Sequence, residues 1–353
     1  MSMPTALITG APGWLGTRLA KALAEGLPDV SEFKDGNPDR EIRCLFLPNQ
    51  DLSPLKGIKG HLELIPGDLT QPGSLSTFLK DAKGATLFHA AGIVHPDKGV
   101  KQFYAVNVQG TRNIINAAVA HGVRRFIHVS SNSPIGCNPN NDHVFDETSP
   151  YNPYMNYGKS KKAGEDIVKR AGADGKIETV IIRPPWFYGP DQPPRQTLFF
   201  KMIRDGKAPI LGGGNNRRSM AYIDNICQGM LLCEKVAEAA GKTYWIADER
   251  PYTMNEIVDT IERLLEKEFN QRCSHKRLRL PGFVGDIAQC IDWCLQSVGL
   301  YNQKIHVLSE MNKTIACSVA KAKKELGYEP KVSLEEGMRR SLRWIWDTFG
   351  PLT

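Results

Sequence analysis

Gly10, Gly13 and Gly16 stand directly between an apolar run, Ala6-Leu7-Ile8-Thr9, and the amphipathic run Thr17-Arg18-Leu19-Ala20-Lys21-Ala22-Leu23. A chain with glycines so placed has to turn sharply there, and the pattern predicts a strand, a tight turn and a helix. Gly10 suits the turn, Gly13 removes a side chain where backbone must approach a pyrophosphate, and Gly16 lets helix pack closely on strand. The amides at the helix start, those of Trp14, Leu15 and Gly16, then face a ligand together with the positive end of the helix dipole. Strand-like runs recur at Ile42 to Leu47, His61 to Ile65, Ala85 to His89, Arg125 to Ser130 and Thr179 to Arg183, with helical stretches between them. That alternation predicts an α/β fold with a doubly wound parallel sheet and a ligand at the carboxyl ends of its strands.

A second motif carries chemistry. Tyr157-Gly158-Lys159-Ser160-Lys161 puts a phenol and an ammonium four residues apart in a helical segment, hence on one face. The pair taken alone also fits two surface residues of a polar helix. Read with the glycine turn, it predicts a proton-transfer site beside a dinucleotide.

The two motifs together resemble the short-chain dehydrogenase/reductase superfamily, and the spacing Thr9-Gly10-x-x-Gly13-x-x-Gly16 resembles its extended branch, which includes NAD-dependent epimerases and dehydratases. Gly67-Asp68-Leu69 is similar to the family's turn after the third strand, whose aspartate contacts the adenine. Leu87 to Gly92, with Ala90 and Ala91, resembles the fourth strand and the loop passing the cofactor; Asn107-Val108-Gln109-Gly110-Thr111 resembles the central-helix motif. Ser131 falls where the family keeps its catalytic serine or threonine, followed by Asn132, and Arg183-Pro184-Pro185 through Tyr188-Gly189-Pro190 continues the pattern. The resemblance implies a Rossmann-type dinucleotide-binding domain over 1-183 and 219-247, and a smaller mixed α/β substrate-binding part over 184-218 and 248-353. It also implies a homodimer through helices around 101 to 121 and 151 to 171.

Composition excludes several other classes. The 353 residues carry a formal charge of +7 without one long basic run or an aromatic-interleaved basic stretch, which argues against nucleic acid. The eight cysteines form no Cys-x-x-Cys pair and no zinc motif, and Cys290 and Cys294 read as small apolar side chains facing a core. The first strand starts almost at once, without a leader pattern, so a cytoplasmic protein with reduced thiols is expected. Asp286 and Asp292 interrupt the apolar segment Pro281 to Leu300, which argues against a transmembrane segment and leaves peripheral membrane contact as a minor alternative.

The mechanism that follows has Tyr157 exchanging a proton with the substrate oxygen while a nicotinamide exchanges hydride with its carbon. Lys161, together with the cationic oxidised nicotinamide, is expected to lower the phenol from its usual pKa of about 10 by about one to three units, and the resemblance adds that the lysine holds the nicotinamide ribose while Ser131 orients the substrate oxygen. Tyr154 lacks a lysine four residues on and reads as a substrate-side or packing aromatic. His89 and His128 read as satisfied core imidazoles, and Asn107 as bonding a backbone group. NAD and NADP stay open: Leu27 to Arg40 looks inserted, Asp51 comes late after the second strand, and Arg43 lies before its end. For substrate, Trp186 stands where nucleotide-sugar members keep an asparagine, and Leu280-Pro281-Gly282-Phe283 with its apolar helix resembles the 3-beta-hydroxysteroid dehydrogenase and dihydroflavonol reductase side. Both favour an apolar alcohol or ketone. Arg218 points instead to a phosphate clamp, as in a nucleotide-sugar epimerase or dehydratase, unless the loop is merely exposed. A third alternative is a non-catalytic cofactor sensor.

Overall fold

In a computed structural model, which describes residues 3–352, seven strands form one parallel sheet. They are β1 (Ala6–Thr9), β2 (Ile42–Phe46), β3 (Leu62–Pro66), β4 (Thr86–His89), β5 (Arg125–Val129), β6 (Glu178–Arg183) and a last strand Thr243–Trp245. The spatial order is Thr243–Trp245, β6, β5, β4, β1, β2, β3. Every residue of β1, β4 and β5 is buried, as a parallel sheet covered on both faces requires. Alternation sorts the side chains: Ala6, Ile8, Phe88 and Ile127 join one core, and Leu7, Leu87 and Phe126 the core on the other face. Helices Trp14–Glu25 and Ile223–Lys235 cover the first face, and Thr111–Ala120 and Met155–Ala173 the second.

This order places the site. Successive strands run outward from β1 through β2 to β3, then return to the other side of β1 with β4, so the loops after β1 and β4 diverge and leave a crevice. The register is level, with Thr9 opposite His89 and His89 opposite His128. Gly10, Ala90 and Ser130 therefore leave the sheet along one edge.

The later half builds a third core from helices Pro194–Arg204, Met254–Glu268 and Leu334–Phe349, which bury Phe200, Ile257, Ile261, Met338 and Leu342 against Tyr188 and Tyr222. Thr253 caps the second of these, accepting from Glu256 N at 3.0 Å while Glu256 accepts from Thr253 N at 2.7 Å. Short strand pairs join this part, Trp186–Tyr188 with Met220–Tyr222 and Leu278–Leu280 with Pro209–Leu211.

One expectation is reversed. Cys290 and Cys294 lie exposed on helix Phe283–Ser297, which buries Gly285, Ala288, Asp292 and Gln296 instead. The polar face goes inside because it finds partners there. Gln296 Nε2 donates to Asp292 at 2.9 Å, Asn156 N donates to Gln296 Oε1 at 3.0 Å, and Asp292 Oδ2 lies 2.7 Å from His306 Nδ1.

Gly10 has φ +92°, and a Cβ there would come within 2.6 Å of Ala91 N. Gly10→Ala is predicted to lower the unfolding free energy by at least ~1–2 kcal/mol, read as a lower urea midpoint at unchanged slope. Gly175→Ala, at φ +67° with nothing within 4 Å, is the control and should cost less. Equal midpoints for the two variants would contradict the packing argument.

Candidate active site

The glycine turn closes around a single carbonyl. A Cβ on Gly13 would lie 2.6 Å, and one on Gly16 2.5 Å, from the oxygen of Gly10. Both glycines are therefore required by the turn itself, in addition to leaving the backbone open to a ligand. No side chain caps helix Trp14–Glu25, so its first-turn amides, including those of Trp14, Leu15 and Gly16, stay available to an anion. The Trp14 indole donates to Pro190 O at 2.6 Å and ties the turn to the substrate side.

A buried polar chain links β1 to the helix carrying Tyr157. Thr9 Oγ1 lies 2.7 Å from His89 Nδ1, His89 Nε2 lies 3.0 Å from Thr111 Oγ1, and Thr111 donates to Asn107 O at 2.8 Å. Burial brings His89 down to about 3, so it is neutral. Asn107 sits in a π-turn, Tyr104–Gly110, inside the helix running from Lys101 to Ala120. Its amide accepts from Ile93 N at 2.8 Å and donates to Ile93 O and Ser160 Oγ, both at 3.0 Å. This is the backbone role expected of it, and it clamps the loop Ala90 to Gly92 beside the Tyr157 helix. A Cβ on Gly92 would lie 3.3 Å from Asn107 Oδ1 and 3.7 Å from Lys161 Nζ. His128 differs from its expectation: it is buried with neither ring nitrogen partnered, and stacks on His89 at 5.3 Å.

Helix Met155–Ala173 carries Tyr157, Lys161 and, one turn further along the same face, Glu165. Glu165 accepts from Arg183 Nε at 2.9 Å and Nη2 at 2.7 Å, from Ser130 Oγ at 2.6 Å and from Tyr151 OH at 2.5 Å. Burial alone would raise its pKa, but Arg183, then Ser130 and Tyr151, hold it below the usual glutamate range. The pair pins the helix to β5 and β6. Lys161 Nζ donates to Val129 O at 2.7 Å, and burial brings its pKa down to about 8 against the opposing charge of Glu165.

Ser131 acts to lower the pKa of Tyr157. Ser131 Oγ also lies 3.3 Å from Asn132 Oδ1. The electrostatics of Tyr157 differ from the expectation. Burial pushes it up to about 12, partly offset by Ser131 and by the charge of Arg195, with Glu310 adding to the rise. The Lys161 ammonium is bonded to the Val129 carbonyl.

The substrate side holds residues that sequence spacing cannot bring together. Phe103 packs 5.7 Å from the Tyr157 ring, Tyr301 meets Phe103 edge-on at 5.6 Å, and His95 Nδ1 lies 2.6 Å from Tyr301 OH. The charge of Arg195 reaches Tyr157, Tyr301 and His95. Trp186 packs on Phe199 at 5.4 Å, and Tyr154 OH lies 2.8 Å from Ser309 Oγ. Arg218 is buried rather than in an exposed loop; its guanidinium donates to Glu310 O and keeps Nε without a partner among the described residues. Asp68 Oδ1 accepts from Thr70 N at 2.8 Å, and Asn113 donates to Leu69 O at 2.7 Å, fixing the turn after β3. Pro184 is buried at the end of β6. Asp51 accepts from Ser53 N at 2.9 Å in an exposed turn, and Arg43 pairs with Glu41 and Glu63.

Glu165→Gln leaves Arg183 buried with one partner short of charge and is predicted to cost about 3–5 kcal/mol of stability in urea unfolding at neutral pH. Because the folded pKa of Glu165 is depressed, its contribution is present above the ordinary glutamate range and is lost as pH falls through the folded value. The gap between parent and variant should therefore narrow in acid; a constant gap would contradict the assignment.

Comparison with known proteins gives the chain a family. The model of the NAD dependent epimerase/dehydratase family matches residues 6–247. The chain is 50% identical to protein y4nL of Sinorhizobium fredii over 98% of this chain and 96% of that one. It is 29% identical to the 3beta-hydroxysteroid-dehydrogenase/decarboxylase isoform 1 of Arabidopsis thaliana, over 95% of this chain and 78% of that protein. The solved structure of DesIV, a dTDP-glucose 4,6-dehydratase of Streptomyces venezuelae with NAD and TYD bound, superposes with a TM-score of 0.73 at 25% identity, covering 99% of this chain and 100% of that one. With a family model spanning well over half its length, the chain belongs to the NAD-dependent epimerase/dehydratase family.

Proposed function

We propose that the chain is an NAD(P)-dependent oxidoreductase that interconverts a secondary alcohol and a ketone on a large, mostly apolar molecule bearing an anionic group. The aromatic surroundings of Tyr157, built by Phe103 and Tyr301, carry this reading. Trp186 on Phe199 extends the apolar character, and the kinship with a plant 3beta-hydroxysteroid-dehydrogenase/decarboxylase points the same way. Arg195, a cation with no ion-pair partner among the described residues whose charge reaches Tyr157, suits a carboxylate close to the reacting hydroxyl.

The crevice fits a dinucleotide: the turn at Gly10, Gly13 and Gly16 has no room for a Cβ, and Gly92 brings backbone against Lys161. When bound, the nicotinamide supplies the hydride acceptor or donor. The remaining work falls to the chain. Lys161 commits one of three N–H donors to Val129 O, leaving two for the ribose hydroxyls. Tyr157, raised to about 12, is a phenol at neutral pH and stands ready to give a proton to a carbonyl oxygen in the reductive direction. Ser131 donates to the same oxygen and fixes its direction. Tyr157→Phe is predicted to lower kcat by about 10²–10⁴-fold with unchanged cofactor affinity by fluorescence titration. Near-normal turnover would remove Tyr157 from the role.

A second reading has its own observation. Arg218, buried with an unpartnered Nε, also suits the diphosphate of a nucleotide sugar, and DesIV is a dTDP-glucose dehydratase. The two readings part on net redox change. Stoichiometric consumption of added NAD(P)H with a hydrophobic keto acid is the result expected here; cofactor retained through purification, with no net absorbance change while a nucleotide sugar turns over, would establish the epimerase or dehydratase instead.

A further inference from the structure

Helix Phe283–Ser297 and its C-terminal cap present an uncovered apolar ridge. Phe283, Ile287, Ile291 and Val298 point outward at 61, 52, 45 and 71% exposure, and Trp293 and Leu300 flank them. The helix cannot roll to hide them, because Asp292 and Gln296 on its other face are bound to one another, to His306 and to Asn156. An exposed apolar stripe held this rigidly marks a contact surface.

Its neighbours in the chain carry exposed cations. Arg272, Lys276 and Arg279 precede the helix and Lys304 follows it; all four are exposed, and none takes part in an ion pair among the described residues. The one exposed acid on the helix, Asp286, is held by Lys313 at 2.6 Å. A second copy of this chain would bring the same cations to the rim of a shared interface with no free acid on the helix to meet them. The ridge is also small: a 15-residue helix is about 22 Å long and ~10 Å wide, so it covers ~220 Å², against the ~800 Å² per partner of a stable dimer. No helix among the described residues is long and apolar enough to cross a membrane.

We propose that this face docks on an anionic bilayer, with helix Phe283–Ser297 lying in the interface plane, its ridge among the acyl-chain ends and Arg272, Lys276, Arg279 and Lys304 against lipid phosphates. Apolar burial and charge attraction act together, as in other interfacial amphipathic helices. Each cation near the surface adds about a fivefold gain in partition at low salt. The docking does not depend on which alcohol the crevice accepts.

Co-sedimentation of the full chain with vesicles tests it. Binding is expected to vesicles of phosphatidylcholine with phosphatidylglycerol, weaker to phosphatidylcholine alone, and reduced by salt. Ile287→Glu with Ile291→Glu should lose at least ~tenfold in partition at an unchanged melting temperature. Lys276→Glu with Arg279→Glu, outside the helix, should remove the preference for anionic vesicles and serves as a second variant should the first fail to fold. No binding to either vesicle, or binding that both variants retain, overturns the proposal. So does a dimer by light scattering that the isoleucine variant splits while vesicles capture nothing, which assigns the ridge to a second copy.

Discussion

The buried pair of Glu165 and Arg183 is what the rest of the site hangs on. Arg183 ends β6, Glu165 lies midway along helix Met155–Ala173, and their side chains are 2 and 0% exposed, respectively, in a contact of 2.7 Å. Such a pair adds little net stability over well-packed apolar residues, but each partner is costly without the other. It acts as a register pin. With the helix fixed against β5 and β6, Lys161 reaches the Val129 carbonyl at 2.7 Å, and Tyr157 lies one turn before it on the same face. Ser130 and Tyr151 fill the remaining acceptor capacity of Glu165, so the carboxylate is satisfied on every side.

From that pin the site divides into two halves, one polar and one aromatic. The cofactor side is made of backbone amides at a helix start, a turn with no space for a Cβ, and a lysine softened by burial to about 8. The substrate side is aromatic, with two arginines that lack carboxylate partners among the described residues, Arg195 and Arg218. The proposed substrate, apolar over most of its area and anionic at one end, would match unpaired arginines beside aromatic surfaces.

What the amino-acid sequence discloses follows the range of each interaction. The glycine turn, Tyr157 and Lys161 are legible because their meaning lies in spacings of three and four residues, and strand edges shift by only a residue, as in Leu62–Pro66 for the predicted His61 to Ile65. Glu165 with Arg183, and Tyr157 with Phe103, Tyr301 and Arg195, join segments far apart in the chain, and no local pattern marks them. Periodicity misdirects at Cys290 and Cys294, because an apolar face was assigned to the core while Asp292 and Gln296 had buried partners waiting in His306 and Asn156. The pKa of Tyr157 is likewise a tertiary property, raised by burial that no local pattern marks.

The central claim is that Tyr157 is held as a phenol by its packing and becomes a base only with the cationic cofactor in place. NMR titration of ¹³Cζ-labelled tyrosine, with the resonance assigned through Tyr157→Phe, measures this directly. The account predicts that Tyr157 in the free chain does not titrate below its ordinary value of 10.0, and that saturating NAD(P)+ lowers its midpoint by about 1–3 units. A midpoint already near neutrality in the free chain, or one that the oxidised cofactor does not move, would contradict it.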